Sequence, residues 1–186
     1  MMTATEGIQN EKVRSAEENG ISLLQVKLAG KYMTFKLAAE EYGLEILKVR
    51  EIIGLMAITR VPKTEAFIRG VINLRGKVIP VLDLRLKFGM ERAEDTDQTV
   101  IIVVQYTHHE KDFTMGILVD EVLEVLNVEA QQIEPPPNFG AGAVDADFIL
   151  GVGKHGSRVI FLLDIGRILT DEEAEMVHRT SMMPVS

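Results

Sequence analysis

The chain has no cysteine and no tryptophan, and aromatics make up only 5% of its 186 residues. Without cysteine, disulfides and thiolate metal sites are excluded. With so few rings, the core must rest on Val, Ile, Leu and Met. Long hydrophobic runs are missing too. Runs such as Val100–Val104 fall far short of the roughly 20 apolar residues that span a bilayer. Positive charge is scarce, with 20 Lys and Arg against 28 Asp and Glu and a net charge of −8. Nucleic-acid affinity comes largely from cations neutralising phosphates, so no nucleic-acid partner is expected. The first 20 residues include Glu6, Glu11, Glu17 and Glu18 and lack the apolar stretch of a signal peptide. These absences lead to the expectation of a cytoplasmic protein without direct membrane insertion.

What is present is apolar and β-rich. Residues 1–20 are polar and aperiodic and read as a disordered tail. Leu24, Val26 and Leu28 alternate with polar residues, as do Met33, Phe35 and Leu37, which predicts two strands with a turn at Gly30-Lys31. Gly43–Ile53 reads as a pair of short strands, and Ile58–Pro62 as extended. Arg75-Gly76 lies between two β-rich runs and predicts a hairpin with Gly76 at positive φ. Pro80 lacks a donor, which predicts an edge or bulged strand. Asp83 is a natural N-cap for one turn over Leu84–Phe88, with Gly89 beyond it. Glu91–Gln98 reads as a connector. Strands are expected over Thr99–Gln105 and within Phe113–Val128, separated by a polar turn over Thr107–Lys111. An irregular stretch over Ile133–Ala146 follows, then a β-rich Phe148–Leu169, and then a short helix capped by Asp171.

An internal repeat organises these segments. Phe148–Leu169 lies on Phe67–Phe88 without gaps at an offset of 81 positions, matching Gly70 with Gly151 and Asp83 with Asp164. Upstream, Gly43, Val49 and Glu51 match Gly116, Val122 and Glu124 at an offset of 73. Apolar matches between two β segments arise easily; glycine and aspartate matches do not. Matched glycines mark places where a β-carbon would clash or φ must be positive. Each half has about five strands, and closing them into a small barrel would remove most exposed edges. The expected layout is a tail over 1–20, two intertwined halves over roughly 21–98 and 99–170, and a C-terminal helix and tail over 171–186.

Chemistry is harder to find. His108 and His109 are adjacent and would face opposite sides of a strand, with no carboxylate at ligand spacing nearby, so no metal site is expected. Gly151, Gly153 and Gly156 spell G-x-G-x-x-G, but an apolar β-branched run follows where a nucleotide site needs a helix. The repeat makes this loop the second copy of the Arg75-Gly76 hairpin. No nucleophile elbow occurs. No catalytic residue and no cofactor is expected.

Three segments carry a resemblance. ILKVREI at Ile46–Ile52, AFIRGVINLRG at Ala66–Gly76 and VIPVLDLRLKFG at Val78–Gly89 resemble the CheW-like family of chemotaxis coupling proteins, as does GILVDEVLEVL at Gly116–Leu126. The resemblance covers roughly residues 20–170. It implies a mainly β fold, with two five-stranded SH3-like β-barrels packed on a shared apolar core, short helices and a C-terminal helix. It implies a non-catalytic adaptor that links transmembrane chemoreceptors to the histidine kinase CheA. The implied partners are the kinase regulatory domain and the receptor's cytoplasmic hairpin tip. Such a protein is a monomer alone, part of a large receptor array, and recruited to the inner face of the membrane through receptors. The resemblance points to Val49, Glu51, Ile72, Asn73, Leu74 and Arg75 as the protein-binding residues.

Overall fold

The structure, a computed structural model, describes residues 4–18, 20–136 and 147–182. Most of the expected irregular stretch, residues 137–146, and the C-terminal tail beyond Met182 lie outside the described residues. The described strands are β1 (Gly30–Leu37), β2 (Glu40–Glu45), β3 (Val49–Gly54), β4 (Ile68–Leu74), β5 (Lys77–Asp83), β6 (Val100–His108), β7 (Lys111–Val119), β8 (Glu121–Val128), β9 (Ile133–Glu134), β10 (Ile149–His155) and β11 (Arg158–Leu163). Four helices accompany them: α1 (Ala4–Glu18), α2 (Leu23–Leu28), α3 (Leu84–Lys87) and α4 (Asp171–Ser181).

Two sheets form, in the orders β8-β1-β2-β11-β10-β9 and β3-β6-β7-β5-β4. The repeat explains both. Strands β1 to β5 correspond in turn to β6, β7, β8, β10 and β11, and each sheet takes its first two strands from one copy and the rest from the other. The matched glycines fall on equivalent pairings, Val81 with Gly116 and Leu162 with Gly43 in parallel register. The expectation that each half closes its own barrel is therefore corrected. The second sheet runs contiguously from Val49 to Val119, and the first is built from the segments on either side of it.

Closure is the same in both. After β3 the chain returns to the far edge, where the Thr59 N–H donates to Val71 O at 2.9 Å and the Val71 N–H donates to Thr59 O at 2.8 Å. After β8, β9 pairs with β10 at the equivalent place, Glu134 beside Val152. The glycine of each repeat sits under this closing segment. A β-carbon on Gly70 would lie 2.2 Å from Thr59 O, and one on Gly151 would lie 2.9 Å from Glu134 O. Both glycines also sit at register shifts, one in β4 and one in β10.

Three apolar clusters fill the molecule. Tyr32, Leu126, Ile133, Ile160 and Leu162 fill one barrel with Leu28 of α2, and Ile72, Ile79, Val81, Ile101 and Val103 fill the other. The largest cluster draws Phe35, Leu37 and Leu44 from the first sheet and Leu82, Ile102 and Ile117 from the second, with Ala174 and Val177 of α4. The scarce aromatics concentrate here. Tyr42 packs against Phe35, Phe88 and Phe161, and Phe88 stacks on Phe148 at 4.6 Å.

Several expectations change. The tail expected to be disordered is helical over Ala4–Glu18; it is rich in good helix formers, which periodicity alone does not register. Leu23–Leu28 is a helix rather than a strand. Ser22 and Gln25 form a reciprocal capping box, and Leu24 and Leu28 also fit a helical i, i+4 spacing. Pro80 is not on an edge, because β5 lies between β7 and β4. It is opposite Val71, between hydrogen-bonded pairs counted from the two-residue turn, and pairing with β7 starts one residue later at Val81. Its missing donor thus falls where no partner strand requires it. Thr170, not Asp171, caps α4, again through a capping box, and the helix continues to Ser181.

The DLR element has a physical reason. The Asp83 carboxylate accepts from the Leu86 N–H and starts α3, as the Asp164 carboxylate accepts from Gly166 in the second copy. Arg85 makes a two-pronged pair with Asp120, with its Nε 2.8 Å from Oδ1 and its Nη2 2.6 Å from Oδ2, while the Ala38 N–H donates to the same carboxylate. Burial works against the Asp120 charge, but the Arg85 and Ala38 hydrogen bonds prevail and hold its pKa below the ordinary 3.8. A depressed carboxylate stabilises the fold fully above its unfolded pKa, and that contribution is lost as pH falls through the folded value. Asp120→Asn is therefore expected to flatten the loss of stability below about pH 4, read as the urea midpoint against pH. An acid limb as steep as the parent's would exclude this pair as a contributor.

Candidate protein-binding site

Glu51 and Arg75 stand at opposite ends of one sheet order, Glu51 on β3 and Arg75 just after β4. Barrel curvature brings them together. Arg75 Nη1 lies 2.6 Å from Glu51 Oε1, and Nη2 lies 2.8 Å from Oε2. The hydrogen bonds from Arg75, with its positive charge, hold the Glu51 carboxyl below its ordinary pKa. Arg75 has 73% of its side chain exposed, so the pair stays presented to solvent. A solvent-screened surface pair like this adds little to stability.

The turn beneath it is set by sequence. Arg75 and Gly76 both have positive φ, 52° and 83°, and Asn73 Oδ1 accepts from the Gly76 N–H at 2.9 Å. This is the two-residue geometry that matches strand twist, with an asparagine fixing it. Leu74 is half-buried against the barrel interior and lines a hollow of about 320 Å³ with Arg50, Glu51, Arg75, Lys77, Ile79, Val103 and Thr114. Along β3 and its extensions Leu47, Ile52, Leu55 and Met56 are exposed, Ile52 on the face of the strand opposite Glu51.

The six expected residues thus divide. Glu51, Asn73, Leu74 and Arg75 come together at one barrel end. Val49 is half-buried and packs on the shared core. Ile72 is corrected to an interior residue: it is 1% exposed and packs inside the barrel with Ile79, Val81, Ile101 and Val103. The glycine-rich stretch is the β10–β11 hairpin, with Gly156 at the turn and a strand following it. The other barrel repeats the ion pair with different residues. Arg158 Nη1 lies 2.5 Å from Glu124 Oε1, and its Nη2 lies 2.8 Å from Glu41 Oε2. Glu124 was visible as the match of Glu51. Arg158 was not, because it aligns with Lys77 rather than Arg75 and reaches the carboxylate from the next strand.

These residues present a charged pair on a fixed turn at the end of a double barrel, an arrangement suited to a binding scaffold. The CheW-like domain family model matches residues 31–173. The chain belongs to the CheW-like family and is a non-catalytic adaptor of chemotaxis signalling. The chemotaxis protein CheW of Klebsiella aerogenes is 40% identical over 156 residues, spanning 81% of this chain and 91% of that protein. That of Bacillus subtilis is 33% identical over 151 residues, spanning 81% and 94%. Among solved structures, the scaffolding protein TtCheW from Thermoanaerobacter tengcongensis superposes with a TM-score of 0.67 at 35% identity, covering 77% of this chain and 89% of that one. The mainly β fold of two SH3-like barrels agrees with the sequence reading. Among the described residues no helix is long and apolar enough to cross a membrane.

Proposed function

We propose that this chain couples the cytoplasmic hairpin tip of chemoreceptors to the regulatory domain of a CheA-type histidine kinase. In this reading it works in the cytoplasm, is recruited to the membrane through the receptor, and serves as a monomeric unit of a larger array. The observation that supports it is the solvent-presented Glu51–Arg75 pair on a fixed turn, with exposed Leu47, Leu55 and Met56 near the ends of β3 and exposed Ile52 on its other face. A helical hairpin is well recognised by apolar anchors with charged neighbours, and arginine is favoured at interface centres. Glu51, Asn73, Leu74 and Arg75 form the contact region, with Val49 and Ile72 supporting it from the apolar interior. Co-sedimentation with a receptor cytoplasmic fragment and the kinase tests this. The chain is expected to pellet with both and to raise kinase recovery over receptor alone. A chain that stays in the supernatant with either partner would exclude the coupling role.

A further inference from the structure

A second group of residues, far from the ion pair in sequence, converges at the other end of the β6–β7 hairpin. His108 ends β6, and His109 and Glu110 form the turn with φ of 48° and 63°. Two successive non-glycine residues in this region are uncommon. The consequence is that adjacent histidines, which a regular strand would point apart, stand with ring centroids 4.2 Å from each other. Both face the first residue of α4. His108 Nε2 lies 3.4 Å from Asp171 Oδ1, and His109 Nε2 lies 3.8 Å from the same oxygen. His108 Nε2 is buried and has no hydrogen-bond partner among the described residues, since its approach to Asp171 meets the distance of an ion pair but not hydrogen-bond geometry.

We propose that His108, His109 and Asp171 form a binding site for a borderline divalent transition ion, Zn²⁺ being the representative. The three donor atoms all lie within 4.8 Å of one another. Ligands about 2.0–2.2 Å from a tetrahedral zinc stand roughly 3.3–3.5 Å apart, so the His108–Asp171 distance already suits coordination and the exposed His109 needs a small shift. Two imidazoles and one carboxylate suit Zn²⁺, Ni²⁺ or Cu²⁺, whereas Ca²⁺ and Mg²⁺ prefer oxygen donors. The two histidines line a hollow of about 500 Å³ together with Lys111, Phe113, Glu175, His178 and Arg179. Lys111 and Arg179 oppose a cation there, and Asp171 and Glu172 in the first turn of α4 offset them, while Glu173 is already paired with Lys87. His178 is held edge-on against Phe113 at 4.8 Å and is not one of the three ligands. Bound metal would pin the hairpin to α4, whose other face packs into the core between the barrels.

The test uses the full-length chain without a purification tag, stripped with chelator, and ZnCl₂ alone as titrant in calorimetry. One saturable equivalent is expected. Asp171→Asn and His109→Ala, both at exposed positions, should each weaken binding at least about tenfold, the lower end of what loss of even an outer partner costs a metal site. His178→Gln should bind as the parent does. Imidazole nitrogen resonances of His108 and His109 should shift on addition, with that of His178 unchanged. The proposal is overturned by no saturable binding up to about 1 mM, the weak end of measurable affinity. It is equally overturned if Asp171→Asn and His109→Ala bind like the parent, or if His178→Gln loses as much.

Discussion

Gly70→Ala is expected to lower the melting temperature by roughly 6–12 °C, from a loss of about 3 kcal/mol at about 2–4 °C per kcal/mol for a chain of this size. The added β-carbon would meet Thr59 O at 2.2 Å and Ile58 Cγ2 at 2.8 Å, on a residue with φ of 146°. A side-chain tip can turn away; a carbonyl held in a sheet cannot. Relief requires the Thr59–Val71 bridge to open, which forfeits two hydrogen bonds worth about 1 kcal/mol each. Backbone strain adds about 1–3 kcal/mol. Two other glycines calibrate the result. Gly76→Ala meets no atom within 4 Å and pays only for its φ of 83°, so it should cost about 1 kcal/mol. Gly151→Ala faces Glu134 O at 2.9 Å without a positive φ and should fall between the two. Thermal unfolding of the three variants is the measurement. If Gly70→Ala costs no more than Gly76→Ala, the closing bridge is not what fixes this glycine.

The second large effect is expected in assembly. Arg75→Glu should reduce recovery of the receptor–kinase complex at least about tenfold, equivalent to roughly 1.4 kcal/mol. The melting temperature should move little, because an exposed ion pair contributes little to stability. The contrast between binding and stability is the informative part. Arg75 is bound to Glu51 across the two edges of one barrel, so its replacement could act by loosening the barrel or by removing a contact. The paired variant Glu51→Arg with Arg75→Glu separates these. It restores opposite charges across the edges but inverts what a partner meets. We expect it to melt like the parent and still fail in co-sedimentation. Full recovery of assembly would assign the pair to architecture, and normal assembly by Arg75→Glu alone would remove Arg75 from the site.

Local features were legible in the sequence because their causes are local. The Arg75-Gly76 turn, the Asp83 cap and the Gly89 stop depend on a few neighbouring residues, and each stands where its chemistry put it. The repeat was legible because glycine and aspartate have few substitutes at such positions. The exchange of strands between copies was not. Equivalent strands carry equivalent patterns, so β5 is as good a partner for β2 as for β7 on paper; the loops decide. Ile72 failed because the resemblance named a run of residues on one strand without telling which of them face the barrel interior, where Ile72 packs. Ser22–Leu28 failed because a spacing of two fits a spacing of four when the intervening residues are polar, and the capping box then settled the matter. The three convergent residues at the β6–β7 turn lie on elements far apart in sequence, and only the fold brings Asp171 to the histidines.

The nested order of the two sheets has a consequence for synthesis. On a ribosome the chain emerges from its N-terminus, and the β1–β2 hairpin comes out ahead of the other strands. One of its edges waits for β8 and the other for β11. The inner barrel has all its strands once Val119 is out, and can close while the outer barrel is still a bare hairpin. Until Arg158–Leu163 returns to Glu41–Leu44, the β2 edge of that hairpin stays open even after β8 has covered the β1 edge, and an open edge is the feature most prone to pairing with the wrong chain. The cell therefore handles a half-finished molecule whose completed part keeps the two ends of its unfinished part close together.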